Sequence, residues 1–519
     1  MGNPRNESNL ISKVWNFANI LRDDGVGYGD YLEQITYLLF LKMADEMSKP
    51  PYNKIIRLPK AKDAEGNEAA EGERCDWETL SQKRGADLEA FYARSLRSLA
   101  SEKGILGQIF IKSQNKIQDP AKLLKVIDMI GREQWTMVGA DIKGDIYEGL
   151  LEKNAADTKS GAGQYFTPRA LIKAMTLCIA PEPNKKIHDP SCGTGGFFLA
   201  AYDYITARHD LNRDQKTFLK NHTFSGNEIV AGTRRLCLMN MFLHSIGEID
   251  GESFISPNDA LIADEGIRVD YVLANPPFGK KSSMTITNQD GEQEKQDLSY
   301  NRQDFWAATS NKQLNFLQHI RSLLKINGEA AVVLPDNVLF EGGAGEIVRK
   351  ELMKTTDLHT ILRLPTGIFY AQGVKANALF FDNKPASKNP WTNEVWVYDY
   401  RTNVHHTLKK RPMRLEDLQD FIDCYNPANR NERKETWSQD PSAISGPEGR
   451  WRKFAYEEIM ARDKTNLDIF WLKDKSLADL ENLPDPDILA IEIIETIEAG
   501  LESFKEIMET INGIAEEDG

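Results

Sequence analysis

A short apolar run, a glycine-rich turn and a helical pattern follow one another in Ile187-His188-Asp189-Pro190-Ser191-Cys192-Gly193-Thr194-Gly195-Gly196-Phe197-Phe198-Leu199. This order predicts a strand, a tight loop and a helix, with glycines that let the backbone approach a ligand closely. The glycine spacing differs from the pyrophosphate pattern G-x-G-x-x-G, and no Gly-Lys-Ser/Thr follows. A tight turn that opens a helix suits the amino-acid end of S-adenosylmethionine, and we expect a side chain added at Gly195 to enter that ligand's space.

The second informative stretch is Asn275-Pro276-Pro277-Phe278, which ends the apolar run Val269–Ala274. An Asn at a strand end presents one acceptor and two donors, and two prolines fix the backbone beside it. The Asn oxygen and a nearby backbone carbonyl then suit an exocyclic NH2 group, and the Phe offers a face on which a ring can stack. The simpler interpretation is a rigid turn after a strand.

The chain between these motifs and beyond them alternates short apolar runs with helical stretches. The runs indicate strands near Lys186–Asp189, Thr223–Gly226, Tyr271–Asn275, Ala330–Pro335, Thr360–Leu364 and Ala378–Phe381. This alternation predicts an α/β fold with a doubly wound, parallel sheet whose ligand crevice lies at the carboxyl ends of the strands. The polar run from Lys280 to about Asp304 predicts a loop beside the strand that ends at Asn275.

Composition limits the class of protein. The 519 residues carry a formal net charge of −14, so binding of any nucleic acid would require a local basic patch or a partner chain. The simpler interpretation is that the acidic charge only aids solubility. No apolar run of spanning length and no charged-then-apolar leader is present, which predicts a cytoplasmic protein away from membranes. The five cysteines are scattered and lack metal-ligand spacing, which indicates reduced thiols and no metal site.

The two motifs together resemble the cofactor and catalytic motifs of adenine-N6 DNA methyltransferases. Residues 163–169, Gly-Gln-Tyr-Phe-Thr-Pro-Arg, are similar to the motif that this family places over the methionine part of the cofactor. The motif order is the family's gamma order. The whole chain resembles the modification subunit of a type I restriction–modification system, through Ile361–Phe369 and again over Arg462–Asp468.

The resemblance implies the cofactor, the catalytic residues and the partners. S-adenosylmethionine would be held by Gln164, Tyr165, Phe166, Thr167, Asp189, Ser191, Gly193, Thr194, Gly195, Gly196, Phe197, Glu228 and Asp259. Catalysis would fall to Asn275, Pro276, Pro277 and Phe278. The partners would be duplex DNA, a specificity subunit, a second modification subunit and a motor or restriction subunit. The loop from Phe369 to Lys375 would help to hold the flipped base, unless it only packs in the core.

Three cofactor residues have simpler alternatives. Glu228 follows the second strand, where a carboxylate can accept hydrogen bonds from both ribose hydroxyls, but it also suits the start of a helix. Asp259 would meet the adenine amine in the family, and is otherwise a turn residue or a helix cap. Thr167 precedes Pro168, a favoured first helical residue, and is otherwise an N-cap.

The predicted domains are a helical N-terminal docking domain (1–152), the methyltransferase domain (153–424), a linker with an ordered extension (425–482) and a C-terminal partner-binding helix (483–519). Apolar residues of this last helix form a heptad seam, namely Ala490, Ile494, Ile497, Leu501, Phe504, Met508 and Ile511. The helix would dock on a partner, or else fold back on this chain's own core.

The sequence thus predicts a methyltransferase that acts on adenine N6 in duplex DNA, with sequence specificity supplied by another subunit. A protein-glutamine methyltransferase and an RNA methyltransferase are the alternatives, because an amide or another base amine would also suit Asn-Pro-Pro. A non-catalytic assembly subunit is the alternative from another class of protein, and the intact Asn275 argues against it.

Overall fold

The computed structural model describes most of the chain. The described residues are 28–62, 73–135, 167–248, 251–278, 283–287, 293–297, 300, 302–369, 374–408, 411–443 and 445–474, with positions 490, 493, 494 and 497 near the C-terminus.

A helical unit comes first. Its helices are α1 (Tyr28–Ser48), α2 (Trp77–Gln82), α3 (Gly85–Ala100), α4 (Gly104–Phe110) and α5 (Pro120–Gly131). Asp76 and Asp119 cap α2 and α5 by accepting backbone N–H bonds with their side chains, and Pro120 opens α5, where its missing N–H costs nothing. The sequence prediction of a helical N-terminal region agrees with these elements.

A nine-stranded sheet follows. Its strands are β1 (Ile187–Asp189), β2 (Phe224–Asn227), β3 (Ile255–Ser256), β4 (Val269–Ala274), β7 (Leu324–Pro335), β8 (Thr356–Arg363), β9 (Ala376–Asn383), β10 (Glu394–Asp399) and β11 (Trp451–Ala455). Their spatial order is β11-β10-β8-β9-β7-β4-β1-β2-β3. Five neighbouring strands, β7, β4, β1, β2 and β3, run parallel to one another. The carboxyl ends of β1, β2 and β4 therefore lie at one edge of the sheet.

Helices cover both faces of the sheet, which confirms the doubly wound α/β prediction. The helices of this part are α6 (Arg169–Ile179), α7 (Gly196–Arg208), α8 (Arg213–Asn221), α9 (Ala231–Leu243), α10 (Lys312–Leu323), α11 (Asn337–Phe340), α12 (Ala344–Thr355), α13 (Gln419–Tyr425) and α14 (Tyr456–Met460). Ala331 and Val333 of β7 pack in the same core as α6, α7 and α9. Val332 and Leu334, which point to the other face, pack in the core of α10 and α12.

The sheet is mixed, and the prediction of a parallel sheet is wrong at two strands. The edge strand β11 runs antiparallel to β10. β9 runs antiparallel to both β7 and β8, between which it lies. No crossover helix separates β8 from β9 in the described residues, and a parallel pair needs such a connection whereas an antiparallel pair does not.

Two segments have more structure than their composition indicated. The polar run after Lys280 contains an antiparallel pair, β5 (Ser283–Thr287) with β6 (Gln293–Asp297), where we expected a loop. The stretch after Tyr425 is held against the sheet, because Arg430 donates to both carboxylate oxygens of Asp382 at 2.7 and 3.1 Å. The four domain boundaries themselves stay predictions.

The motif Arg462–Asp468 anchors the end of this extension. The backbone oxygens of Lys464 and Thr465 accept hydrogen bonds from the buried Arg349 at 2.6 and 3.1 Å. Asp468 pairs with the fully buried Arg363, at the end of β8, at 2.5 Å. Since a buried guanidinium requires such partners, the motif stabilises the sheet at the carboxyl end of β8.

The N-terminal helices pack directly on α9. Phe40 and Phe242 have ring centroids 5.2 Å apart, within one continuous core. Arg235 of α9 is buried, forms an ion pair with Glu33 of α1, and donates to the backbone oxygen of Ile111 at 2.8 Å. The helical unit is therefore fixed to the nine-stranded sheet through this helix.

Candidate active site

The glycine-rich loop leaves the end of β1 in a hydrogen-bonded turn. The Asp189 carboxylate accepts the backbone N–H of Ser191 at 2.9 Å, and the N–H of Gly195 donates to the Cys192 carbonyl at 2.8 Å. Cys192 also donates its N–H to the Asn227 carbonyl at 3.0 Å, which ties the loop to the end of β2. Burial raises the pKa of Asp189 to about 7.

Two glycines of the loop have positive φ for different reasons. At Gly195 (φ +84°), a Cβ would lie 2.8 Å from Cε of Met241 and 3.0 Å from Sγ of Cys237, so this glycine allows the loop to pack on α9. At Gly193 (φ +55°), a Cβ would meet no atom within 4 Å of the described structure. A side chain at Gly195 would therefore meet α9 first, and the loss of cofactor binding expected on substitution there stays a prediction. Among the described residues, Gly193 is the loop glycine that faces open space.

Glu228 is brought to this loop by the end of β2. Its carboxylate accepts the N–H of Val230 at 2.8 Å and also receives the N–H of Gly193. Burial raises the pKa of Glu228, and these two N–H groups act in the opposite direction. The carboxylate is thus held between the glycine-rich loop and the start of the next helix, α9.

Asp259 takes part in a turn and is also held by a residue that the sequence did not indicate. One carboxylate oxygen accepts the N–H of Leu261 at 2.9 Å, as expected for a turn aspartate. The other accepts the hydroxyl of Tyr300 at 3.1 Å. Tyr300 lies within the polar run from Lys280 to about Asp304, and its position 41 residues from Asp259 gave no sequence signal.

Asn275 directly follows β4 at the same edge of the sheet. It is half-buried, and its Nδ2 donates to Oγ1 of Thr167 at 2.7 Å. Helix α6 begins at Arg169, with Pro168 at its N-cap position and no side-chain cap. Thr167 therefore contacts Asn275 and does not cap the helix, and Pro168 is not its first residue.

The remaining members of the second motif differ in exposure. Pro276 is buried, whereas Pro277 is exposed. Phe278 is 7% exposed and packs against Phe369. The centroids of the two rings are 5.6 Å apart, and the angle between the ring planes is 73°. The two rings form a T-shaped pair of the kind that stabilises a core by about 0.5–1.5 kcal/mol. The predicted loop to Lys375 thus begins with a buried aromatic contact.

Two further side chains support the loop. Asn240 of α9, which is 2% exposed, donates its Nδ2 to the Thr194 carbonyl at 3.1 Å. An Asn buried between apolar residues of a helix is a signal that the sequence analysis did not use. The Cys192 thiol is buried and hydrogen-bonded with Cys237, which raises its pKa well above the usual range, so it is a poor nucleophile.

Parts of the predicted site lie outside the described residues, namely Gln164, Tyr165 and Phe166. Within the described ranges, no three His, Cys, Asp or Glu side chains come together as metal ligands. None of the helices described there is long and apolar enough to cross a membrane.

The described residues form one constellation at the carboxyl ends of β1, β2 and β4. It combines a glycine-rich loop that leaves open space at Gly193, the carboxylate of Glu228 hydrogen-bonded to that loop, and the carboxamide of Asn275. This is the edge at which ligands bind in doubly wound sheets. The residues can hold a polar ligand that carries hydroxyl groups and present a hydrogen-bonding carboxamide beside it.

Comparison with known proteins gives two family matches. Residues 138–465 match the family described as N-6 DNA Methylase, and residues 10–130 match the family described as HsdM N-terminal domain. Curated relatives include the methylase subunit of the type I restriction enzyme StySJI from Salmonella typhimurium, 38% identical, covering 99% of this chain and 97% of the relative. The EcoKI methylase subunit from Escherichia coli is 37% identical with the same coverage.

Solved structures give a similar result. The crystal structure of the EcoKI M protein is 33% identical, with a TM-score of 0.52 and coverage of 97% of this chain and 96% of that one. A chain from a study of complex assembly in a type I restriction–modification system has a TM-score of 0.66, with 98% of both chains covered. At 23% identity, this second likeness shows the fold alone.

Proposed function

Because the chain belongs to the N-6 DNA methylase family, as a modification subunit of the type I restriction class, we propose that its adenine-N6 methyl transfer takes place at the edge formed by β1, β2 and β4. One observation carries this proposal. The glycine-rich loop, Glu228 and Asn275 come together there, although the sequence separates them by up to about eighty residues. A cofactor and a target base can therefore lie side by side.

The cofactor proposed is S-adenosylmethionine, and the described residues fit its parts. The open space at Gly193 would receive the amino-acid end, next to Asp189, Ser191, Thr194, Gly195, Gly196 and Phe197. Glu228 would accept hydrogen bonds from the ribose hydroxyls, and Asp259, held by Tyr300, would meet the adenine amine. The segment from Gln164 to Thr167 would cover the methionine part. The cofactor supplies an activated methyl group when bound.

Asn275 would act on the target amine through its oxygen, together with the backbone carbonyl of Pro276. Hydrogen bonds accepted from the amine draw its lone pair out of conjugation with the ring and aim it at the methyl group. This is stabilisation by pre-positioned dipoles and requires no strong base. The adenine has to leave the duplex, because its amine is paired inside the helix, and Phe278 would contact the flipped ring.

We expect the label from S-adenosylmethionine carrying a radioactive methyl group to appear in DNA, at adenine N6, when the chain is assayed with its co-purified partners. The family assignment and the paired acceptors at Asn275 are the reasons. Digestion of the DNA to nucleosides and chromatography identifies the product. RNA and a glutamine-containing protein serve as controls, and label in either of them, with none in DNA, would exclude the proposed substrate.

The partner proposed for sequence recognition is a specificity subunit, with a second modification subunit and a motor subunit in the larger complex. The net charge of −14 favours a partner that supplies much of the contact with DNA phosphates. Ile494 and Ile497, two positions of the predicted heptad seam, are helical and 54% and 63% exposed. Ile493, which lies outside the seam, is 51% exposed, and exposed apolar side chains this close together in the sequence support docking to another chain.

Deletion of residues 484–519 is expected to abolish assembly with the specificity subunit, and sequence-specific methylation with it, because the seam would be removed. Size-exclusion chromatography of co-expressed chains measures assembly, and calorimetry with S-adenosylmethionine checks that the shortened chain still binds the cofactor. Ile494→Lys should weaken assembly, whereas Glu495→Lys, one position outside the seam, should not. A deletion variant that still co-elutes with its partner would exclude the docking role.

A further inference from the structure

The hydrogen bond between Asn275 and Thr167 joins two parts of the chain that are 108 residues apart. Thr167 precedes the first helix of the methyltransferase domain, whereas Asn275 directly follows its fourth strand. The distance of 2.7 Å from Nδ2 to Oγ1 is short for a bond between neutral groups, and both residues are half-buried. Water therefore competes less for this bond than it would at the surface.

We propose that Thr167 is a positioning residue for methyl transfer. A carboxamide has a donor end and an acceptor end, which lie on opposite sides of its Cγ atom. Because the donor end of Asn275 is bound to the Thr167 hydroxyl, the acceptor oxygen is turned to the other side and held in one plane. This inference rests on the proposed function, in which that oxygen accepts a hydrogen bond from the target amine.

The position of Thr167 next to a buried helix fixes its backbone. Pro168 follows it, and the Pro168 carbonyl accepts the N–H of Ile172 at 3.1 Å in the first turn of α6. Most of α6 is buried, and a Cβ at Gly196 would lie only 2.9 Å from Cδ1 of Ile172. Helix α6, which begins two residues after Thr167, thus packs against α7, the helix that follows the glycine-rich loop.

This arrangement connects the cofactor side of the site with the catalytic side. The segment that would cover the methionine part of the cofactor ends at Thr167, and Thr167 contacts Asn275 directly. The role differs from direct cofactor binding, which the family resemblance implies for the same residue, and the two roles predict different kinetics.

Thr167→Val, which keeps the shape of the side chain but removes its hydroxyl, is expected to lower kcat roughly tenfold to a hundredfold. Misplacement of a reacting group by about 1 Å can cost as much as a hundredfold in rate. The Kd for S-adenosylmethionine, measured by calorimetry, should change less than about threefold, and Thr167→Ser should restore kcat. Steady-state methylation by the complete methyltransferase complex provides kcat, and a single-turnover experiment provides the rate of the methyl-transfer step itself. Thr206→Val, on the exposed side of α7, is the matched control and should have no effect.

Each outcome distinguishes one interpretation. A fully active Thr167→Val enzyme would overturn the proposal. Lost cofactor affinity with normal kcat at saturating cofactor would also overturn it and identify Thr167 as a cofactor contact only. In an Asn275→Ala background, Thr167→Val should cost little further rate, because contacting residues are not additive. If Asn275→Ala itself were fully active, the proposed catalytic centre would fail, and that result is separate from the Thr167 measurement.

Discussion

Asn275→Ala should lower the rate of methyl transfer to DNA by about a hundredfold or more, on the scale known for removal of one pre-positioned hydrogen-bonding partner in a catalytic site. The substitution removes the acceptor oxygen that would draw the amine lone pair towards the methyl group. It leaves β4 intact, because the backbone of that strand ends at Ala274. The loss is therefore expected in kcat and not in the stability of the fold.

The measurement is single-turnover methylation with saturating cofactor and a duplex that contains the recognised site. Calorimetry should show cofactor affinity within a fewfold of the unmodified protein, since Asn275 lies beside the proposed cofactor site and does not line the glycine-rich loop. Asn389→Ala, in an exposed turn far from the sheet edge, is the matched control and should be fully active. Undiminished methylation by the Asn275→Ala protein would mean that the catalytic centre lies elsewhere.

Gly193→Ala should abolish cofactor binding, or weaken it by at least about tenfold. The added methyl group points into space where the described structure places no atom within 4 Å, which is the space proposed for the cofactor. The variant also bears the strain of an L-residue at φ +55°, about 1–2 kcal/mol, whether or not a ligand is present. Loss of binding and loss of stability therefore have to be measured separately.

Gly85→Ala provides the control for that strain. Gly85 has φ +54°, a Cβ there would also meet nothing within 4 Å, and it lies at the start of α3 in the helical unit. Thermal unfolding should show similar destabilisation for both variants, while calorimetry should show lost cofactor binding for Gly193→Ala alone. Equal cofactor affinity in the two variants would remove the glycine-rich loop from the proposed site.

Much of the sheet could be predicted because buried strands are apolar on both faces. All six predicted strands are present, close to the expected positions. The direction of β9 could not be predicted, since every residue from Ala376 to Asn383 is buried and such a run fits either orientation. β3 has only two residues, which is too short for any periodicity to appear.

The sequence could predict single residues of the site but not the contacts between residues that are far apart in the chain. Motifs at strand ends indicated Asp189, Glu228 and Asn275, because parallel strands bring their carboxyl ends to one edge. Pairings across the chain were not indicated, since nothing in the local sequence connects Thr167 with Asn275 or Tyr300 with Asp259. The same limit explains why Gly195 was expected to face the ligand. Spacing shows that a turn needs glycines, but only packing shows which one faces α9.

Helix α9 has a consequence for how this protein can be divided or recombined. One side of it holds the helical unit through Arg235, and another holds the glycine-rich loop through Asn240, Cys237 and Met241. Separating the catalytic half from the helices would leave the Arg235 guanidinium without its acceptors and uncover Phe242. A chimaera between related subunits should therefore exchange α1 to α9 as a single block.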